Sequence, residues 1–310
     1  MSLSLASKGR TPDRPGPGPI PEALLRALDL TLAGRRVDGV LAGDHRSTHV
    51  GVGSEFALVR EWFPGDDVRR IDWNVTARTN QTQVRVDVAE RALTSWLVLD
   101  VSPSMTFGTA DRRKWDVAEG VALAFGYLGS RRGNRVGVLT FGGSEVLVLP
   151  PRQGRAGLLG VLRAAHSEPE AERVGATSLG EAFTRVSRVA RQRALVLVLS
   201  DFRGPRDWQR PLLRLTARHE VVAVEVRDPR EQELPDVGHL WLVDPETGRR
   251  LHVDTGRRRL RERFAAAAAA ERASLASELA SLGVRHVVLP TAGDWLRPFA
   301  SFASGGRKRR

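Results

Sequence analysis

The chain has 310 residues, of which 41% are hydrophobic and 27% are charged, and it has a formal net charge of +12 and no cysteine. This length suits one large domain with a smaller module, and the composition is that of a soluble globular protein. The absence of cysteine excludes disulfides, thiolate metal sites and a cysteine nucleophile. No run approaches the roughly 18 apolar residues of a membrane span, and the N-terminus lacks the apolar core of a signal peptide, so we expect a cytoplasmic protein.

The basic residues are spread along the chain, and two tight clusters stand out. One is Arg257–Arg259, and the other is the C-terminal tail, residues 305–310. Dispersed charge favours a solvated surface and a disordered tail, and it argues against nucleic acid as a partner. An alternative remains open, in which the basic tail contacts an anionic membrane surface or nucleic acid.

Residues 1–92 lack the pattern of a second hydrophobic core. Residues 1–20 are polar and contain alternating Gly and Pro, a composition that predicts a flexible leader. An apolar stripe over Pro21–Leu32 predicts a short helix. The rest of the segment 21–92 is rich in paired charges, and we expect short strands there.

Residues 93–304 alternate between apolar runs and helical periodicity. Continuous apolar runs rich in β-branched residues are typical of strands that are covered on both faces of a parallel sheet. The runs are Trp96–Asp100, Arg135–Phe141, Ala194–Asp201, Val221–Val226 and Arg285–Leu289. Apolar residues recur at helical spacing over Trp115–Leu128, Leu179–Val189, Leu212–Ala217 and Leu260–Leu282.

A hairpin interrupts this alternation, because Phe141 and Val146 are separated by the short sequence Gly-Gly-Ser-Glu. We therefore predict an α/β fold with a doubly wound, Rossmann-like and mostly parallel sheet that has one antiparallel strand near an edge. This domain is expected to span residues 93–304, between the N-terminal segment and the basic tail.

Side chains that bear oxygen collect near the ends of two predicted strands. The first strand ends in Asp100, with Ser102 and Ser104 following, the third ends in Asp201, and Thr177 begins the helix before the third strand. Ligands of doubly wound sheets gather at the carboxyl ends of the strands, and Mg2+ prefers oxygen ligands and keeps some water. We predict that these five residues bind one Mg2+ (or Mn2+) and leave one position for water or for a carboxylate of a partner protein.

Each part of this set has a simpler explanation when it is taken alone. The Asp-x-Ser-x-Ser run fits a strand-to-helix turn with hydroxyl caps, and Thr177 or the neighbouring Ser178 can cap a helix. Asp201 has a residue type that is common in turns. Their order along the chain and their positions on the predicted elements favour the metal site.

The set resembles the metal-ion-dependent adhesion site of von Willebrand factor A domains, over about residues 93–300. On that resemblance, Asp100, Ser102 and Ser104 match the Asp-x-Ser-x-Ser motif. Thr177 matches the lone threonine and Asp201 the late aspartate. The resemblance implies a domain that binds a partner protein through a metal ion.

A second motif precedes the sheet domain. It comprises Gly51-Val-Gly53-Ser-Glu55-Phe56, Arg60, the run from Pro64-Gly65-Asp66-Asp67 to Asp72-Trp73, and Ala77-Arg78, with Asp228-Pro229 and Asp244 to Gly248 downstream. The chain after residue 25 resembles the bacterial family called domain of unknown function 58. Many members carry N-terminal membrane helices, which this pattern does not show. Members are often encoded beside MoxR-type AAA+ ATPases, so the resemblance implies such an ATPase as a partner.

The Pro64–Trp73 signature has two interpretations. Its Arg and Asp residues fit a charged network that holds the segment to the sheet domain, with Trp73 as a core anchor. They also fit a partner-binding surface. The pattern favours the first interpretation, because turn residues and paired charges dominate it.

We expect a metal-dependent protein-interaction adaptor, and not an enzyme. The sequence contains neither a Gly-x-x-x-x-Gly-Lys-Ser/Thr phosphate loop nor a Gly-x-Ser-x-Gly nucleophile elbow, and its histidines show no paired ligand spacing. The alternatives are a Mg2+-dependent hydrolase or phosphoryl-transfer enzyme, and a protein that binds anionic surfaces through its basic tail.

Overall fold

The computed structural model describes most of the chain, and some predicted features lie outside it. The described residues are 4–5, 16–21, 55–88, 94–129, 134–154, 156–167, 178–244 and 247–304. Thr177, the tail 305–310 and all but the first residue of the helix predicted at Pro21–Leu32 lie outside the described residues.

The described residues form eleven strands and seven α-helices. The strands are β1 (Ser4–Leu5), β2 (Glu55–Glu61), β3 (Gln83–Val88), β4 (Thr94–Asp100), β5 (Arg135–Phe141), β6 (Val148–Arg152), β7 (Leu195–Ser200), β8 (Glu220–Arg227), β9 (His239–Val243), β10 (Arg250–Asp254) and β11 (Arg285–Pro290). The helices are α1 (Trp73–Thr79), α2 (Lys114–Gly129), α3 (Ala156–Ser167), α4 (Leu179–Val189), α5 (Gln209–Thr216), α6 (Arg258–Ser281) and α7 (Leu296–Ser304). None of these helices combines the length and the apolar composition needed to span a lipid bilayer.

A six-stranded sheet with the order β11-β8-β7-β4-β5-β6 forms the centre of the fold. All neighbouring strands pair in parallel except β5 and β6. Side chains alternate between the two faces of a strand, so Leu97 and Leu99 of β4 pack with α2, α3 and α7, while Trp96 and Val98 pack with α4, α5 and α6. The predicted doubly wound, mostly parallel fold is confirmed.

The predicted hairpin is also confirmed, and it forms one edge of the sheet. The antiparallel register of β5 and β6 pairs Leu139 with Val148, and the strand β6 has the last place in the sheet order. At the centre, β4 and β7 are parallel neighbours with Leu99 opposite Leu199. Asp100 and Ser200 therefore lie side by side at the carboxyl edge of the sheet.

A separate three-stranded sheet has the order β1-β9-β10 and is antiparallel throughout. Its strand β1 belongs to the predicted flexible leader and pairs with Leu242 and Val243. A second piece of the leader lies near α7, where the indole N–H of Trp295 donates a hydrogen bond to the carbonyl oxygen of Pro17 (3.2 Å). Two described parts of the leader are thus bound to the body that carries the large sheet.

The chain divides into two compact units, Met1–Arg35 with Leu93–Arg310, and Arg36–Ala92. In the smaller unit, β2 and β3 form an antiparallel pair with α1 between them in the chain. The guanidinium of Arg60 donates two hydrogen bonds to Asp66 (2.6 and 2.7 Å), and together with the Phe63 amide it lowers the pKa of Asp66 to about 2. The Arg60–Asp66 pair of the signature therefore stabilises the turn that contains Asp66.

Trp73 is the first residue of α1, and the interpretation of this residue as a core anchor is wrong. Asp72 caps the helix by accepting hydrogen bonds from the N–H groups of Asn74 and Val75, and its other carboxylate oxygen accepts one from Arg85 (2.8 Å). The seven-residue helix has no buried residue, and Trp73 is 69% exposed. A short helix that buries none of its residues completely leaves its aromatic residue on the surface.

Candidate functional site

Asp100 ends β4 and is held by uncharged donors. The N–H of Ser102 donates to its Oδ1 (2.9 Å), and the hydroxyl of Ser200 donates to its Oδ2 (2.5 Å). The residue is 4% exposed. The carboxylate is therefore buried and oriented, but neither of these two donors carries a compensating charge.

Ser102 and Ser104 follow in a loop that turns directly over the end of β4. Ser102 is the N-cap residue of a short 3-10 helix at Pro103–Thr106, yet its side chain makes no capping hydrogen bond. Its hydroxyl oxygen lies instead 3.1 Å from the hydroxyl oxygen of Ser104, and both residues are buried. Helix capping therefore does not explain the Ser102 side chain, and the two hydroxyls converge near Asp100.

Asp201 lies one residue beyond the end of β7, in a tight turn. The next residue, Phe202, has a left-handed backbone with φ of 55°, and its N–H donates to the hydroxyl of Ser200 (2.9 Å). The N–H of Arg203 donates to Asp201 Oδ1 (3.1 Å). Asp201 is thus a turn residue, which agrees with the simpler explanation of this position from the sequence. It is also a buried carboxylate at the same edge of the sheet as Asp100.

The two buried aspartates influence each other electrostatically. Burial raises the pKa of Asp100 to about 7, the negative charge of Asp201 adds to this effect, and hydrogen bonds from Ser102 and Ser200 oppose it. A carboxyl group with this pKa is only partly ionised at neutral pH. A cation beside Asp100 would favour its ionised form.

Lys114 is a member of this cluster that the sequence analysis missed. Its ammonium nitrogen lies 2.5 Å from Asp201 Oδ2 and 2.7 Å from Glu231 Oε1, and its side chain is completely buried. Burial alone would lower the pKa of Lys114, but the charges of Asp201 and Glu231 outweigh it and raise that pKa. For Asp201, the charge and hydrogen bond of Lys114 outweigh burial and lower the pKa.

Asp228 and Glu231 connect the cluster to two other segments, the loop that contains Thr109 and the end of β11. Asp228 accepts hydrogen bonds from the N–H and hydroxyl of Thr109 (2.8 and 2.6 Å), from the hydroxyl of Thr291 (2.7 Å) and from the N–H of Arg230 (2.9 Å). Glu231 accepts one from the N–H of Asp228 (3.1 Å), which completes a capping box. Asp228 therefore joins the loop after β4 to the ends of β8 and β11.

Two signals in the sequence point to these missed residues. The lysines of this arginine-rich chain are Lys8, Lys114 and Lys308, so Lys114 is exceptional inside the folded domain. Asp228 and Glu231 have the spacing of a capping box, which usually marks a helix start. The contacts of Lys114 with Asp201 and with Glu231 join residues 87 and 117 positions apart, and no local pattern encodes such contacts.

The donor set can be tested for its fit to a divalent cation. Asp100, Ser102, Ser104 and Asp201 offer oxygen atoms alone, which suits Mg2+ and Mn2+. Within the described part of the chain, no group of three or more His, Cys, Asp or Glu residues is arranged to hold a metal. The candidate set depends instead on two carboxylates and neighbouring hydroxyls. Among the described residues, Asp201 has a counter-charge in Lys114 and the donors that contact Asp100 are uncharged, so a candidate ion would be centred on the Asp100 loop.

Comparison with known proteins identifies relatives along most of the chain. The model of the family described as "Protein of unknown function DUF58" matches residues 58–274. An uncharacterized protein of Mycobacterium bovis and one of Mycobacterium tuberculosis are each 43% identical over 288 residues, which cover 92% of this chain and 90% of theirs. A shorter uncharacterized protein of Mycobacterium avium is 40% identical over 162 residues, 52% of this chain and 94% of its own.

Solved structures that resemble the chain have low sequence identity. The conserved hypothetical protein BatB from Bacteroides thetaiotaomicron is 16% identical with a TM-score of 0.45, covering 70% of this chain and 100% of its own. An aerotolerance-related membrane protein from Bacteroides fragilis is 14% identical with a TM-score of 0.43, covering 69% and 98%. A von Willebrand factor type A structure from Catenulispora acidiphila is 12% identical with a TM-score of 0.37, covering 74% and 44%.

Proposed function

Given that the chain belongs to the DUF58 family of proteins of unknown function, we propose that it is a metal-dependent protein-interaction adaptor. Asp100, Ser102, Ser104 and Asp201, with Thr177 as the fifth ligand, bind one Mg2+ or Mn2+ in this proposal. The observation that supports it best is the buried Asp100 carboxylate, which lies beside converging hydroxyls and has a pKa raised to about 7. A bound divalent ion would supply a Lewis-acidic anchor for a carboxylate of the partner.

The charge of Lys114 argues against this residue as a catalytic base. A hydrolytic or phosphoryl-transfer reaction at this site would need a general base for a hydroxyl or a water. Lys114 is the ammonium group that the fold brings to Asp201, and its raised pKa keeps it protonated. A protonated lysine donates hydrogen bonds and cannot accept a proton, so it holds Asp201 in place and does not act as a base.

The resemblance to the family, together with the chemistry of the ion, defines the expected partner. It is a protein that presents an Asp or Glu side chain to the metal, and the family's frequent association with MoxR-type AAA+ ATPases makes such an ATPase the first candidate. In this proposal the chain works with the ATPase in the assembly or maturation of other proteins.

The experiment is a co-purification of the tagged chain with the MoxR-type ATPase of the same organism. Wild type in Mg2+ should retain the ATPase, whereas wild type in chelator and Asp100→Ala in Mg2+ should lose it. Asp236→Asn, which changes a carboxylate that is 62% exposed and paired with Arg261, is the matched control and should bind as wild type does. Retention that is indifferent to chelator and to Asp100→Ala would contradict metal-dependent docking. Turnover of ATP or phosphoesters by the isolated chain, lost in Asp100→Ala, would favour the enzyme alternative.

A further inference from the structure

Lys114 occupies a position that helix formation does not explain. It is the first residue of α2, where the helix dipole disfavours a positive charge. Its side chain is fully buried, and removing an ammonium group from water is expensive unless carboxylates surround it. The buried contacts with Asp201 and Glu231 therefore explain why a lysine is tolerated there, and they make Asp201 the residue on which Lys114 acts.

The contact changes what Asp201 can offer to a metal ion. Its Oδ2 lies 2.5 Å from the Lys114 ammonium, and its Oδ1 accepts the N–H of Arg203. The negative charge of Asp201 is thus compensated inside the protein, and both of its oxygens have a partner. Asp100 differs, because its described hydrogen-bond donors are the amide and hydroxyl of Ser102 and the hydroxyl of Ser200, all of which are uncharged.

We propose that Lys114 is a positioning residue that limits the affinity of the site for a divalent cation by neutralising Asp201. This inference rests on the proposed function, since it concerns the ion that Asp100 would bind. With the three carboxylates of Asp100, Asp201 and Glu231 counted against the two cations Lys114 and Arg203, the charged side chains of this cluster carry one net negative charge. A divalent ion would then keep a positive charge, which a carboxylate of the partner neutralises. Stable retention of the ion and binding of the partner are therefore coupled.

The variant that tests this inference removes the lysine without changing the total charge. Lys114→Met has a similar length and no charge, and the accompanying Glu231→Gln keeps a side-chain oxygen that can accept the N–H of Asp228. The matched control is Arg261→Met with Asp236→Asn, which removes an ion pair of the same unit that does not contact the site. Folding of both double variants is checked by circular dichroism and thermal unfolding.

Calorimetric titration with Mn2+ alone is the readout. The Lys114→Met/Glu231→Gln variant should bind Mn2+ about tenfold more tightly than wild type, because Asp201 loses the ammonium group that contacts and neutralises it, whereas the charge removed at Glu231 belongs to the other partner of Lys114. Its thermal midpoint should also rise more on addition of Mn2+. The control double variant should bind as wild type does.

Each other outcome has a defined meaning. Equal or weaker binding by the lysine variant would overturn the role of Lys114, and if wild type still binds Mn2+ through Asp100, the proposed function survives. If neither protein binds the ion, both proposals fail. If the lysine variant does not fold in chelator, saturating Mn2+ should restore folding, because the ion supplies the lost counter-charge for Asp201. Failure to restore it would also overturn the inference.

Discussion

Three buried aspartates lie near the carboxyl edge of the sheet, and the protein satisfies each one differently. Asp228 accepts neutral hydrogen bonds from Thr109 and Thr291. Asp201 has the ammonium group of Lys114. Asp100 has uncharged donors. Its burial and the neighbouring negative charge of Asp201 raise its pKa to about 7. These differences separate Asp100, for which we propose a bound cation, from the two aspartates that hold the surrounding structure.

The raised pKa of Asp100 predicts how stability depends on pH in chelator. Between the ordinary pKa of 3.8 and the folded value of about 7, the folded protein binds a proton that the unfolded chain has lost, so the free energy of unfolding should fall as pH rises through this window. Urea unfolding measures this free energy at about pH 5 and about pH 8. Between these two pH values, the free energy of unfolding of wild type should fall by over about 1 kcal/mol more than that of Asp100→Asn. Saturating Mg2+ should remove the difference, since the ion stabilises the ionised carboxylate. If the free energies of unfolding of the two proteins changed equally with pH in chelator, this would argue against a raised pKa of Asp100.

Asp228 provides a test of stability that is separate from metal binding. Asp228→Asn replaces an acceptor of four described hydrogen bonds by a group with one oxygen, and it should lower the free energy of unfolding by about 2–4 kcal/mol. Asp236→Asn on the surface should change it by less than about 1 kcal/mol. Chemical denaturation of both variants measures the difference. A loss in Asp228→Asn no larger than in Asp236→Asn would refute the structural role of Asp228.

At the scale of elements, the turn between β5 and β6 shapes the candidate site. Gly142 follows β5 with φ of 81°, and a Cβ atom there would lie 2.8 Å from the Cβ of Ser102 and 3.1 Å from Asp100 Oδ1. The absence of a side chain therefore leaves room for the Asp100 loop. The turn of the β5–β6 hairpin thus helps to shape the Asp100 loop at the carboxyl edge of the sheet.

Gly142→Ala should weaken binding of Mn2+ by about tenfold or more and also destabilise the fold, because the new methyl group displaces the Asp100 loop and the positive φ is strained. Gly154→Ala is the matched control, since its φ is 85° and its Cβ would meet no atom within 4 Å. The control should cost about 1–2 kcal/mol of stability and leave Mn2+ affinity unchanged. Calorimetry and thermal unfolding of the pair give both quantities. Equal Mn2+ affinity in the two variants would show that Gly142 does not shape the site.

The central strands could be predicted from sequence, and some peripheral elements could not. The runs of β4, β5, β7, β8 and β11 are continuous and apolar because the sheet is covered on both faces. Helix α3 escaped prediction because Gly157 and Gly160 reduce its helix propensity, although Leu158 and Leu162 are buried against the sheet. The pair β9 and β10 was missed because exposed side chains such as Trp241, which is 54% exposed, obscure its alternation.

At the scale of the whole molecule, the order of the elements determines which side chains meet. Parallel pairing of β4 with β7 brings Asp100 next to Ser200. The strand ends alone predict that these two segments lie at the same edge of the sheet, but not that the strands are neighbours. The contact of Lys114 with Asp201 and Glu231 could not be predicted, because it depends on how α2 lies against two distant loops. The exposure of Trp73 in the smaller unit could not be predicted from the sequence either. It depends on how the short helix α1, which has no buried residue, is placed.

The proposed adaptor depends on an ion at the Asp100 loop, and calorimetric titration of the purified chain with Mn2+ tests this most directly. Wild type should bind one ion per chain, Asp100→Ala should give no binding heat, and Asp236→Asn should bind as wild type does. This expectation follows from the buried carboxylate, whose hydrogen-bond donors in the described part of the chain are uncharged. The account would be contradicted by wild-type protein that is indifferent to Mn2+ and Mg2+, or by Asp100→Ala protein that binds Mn2+ with wild-type affinity.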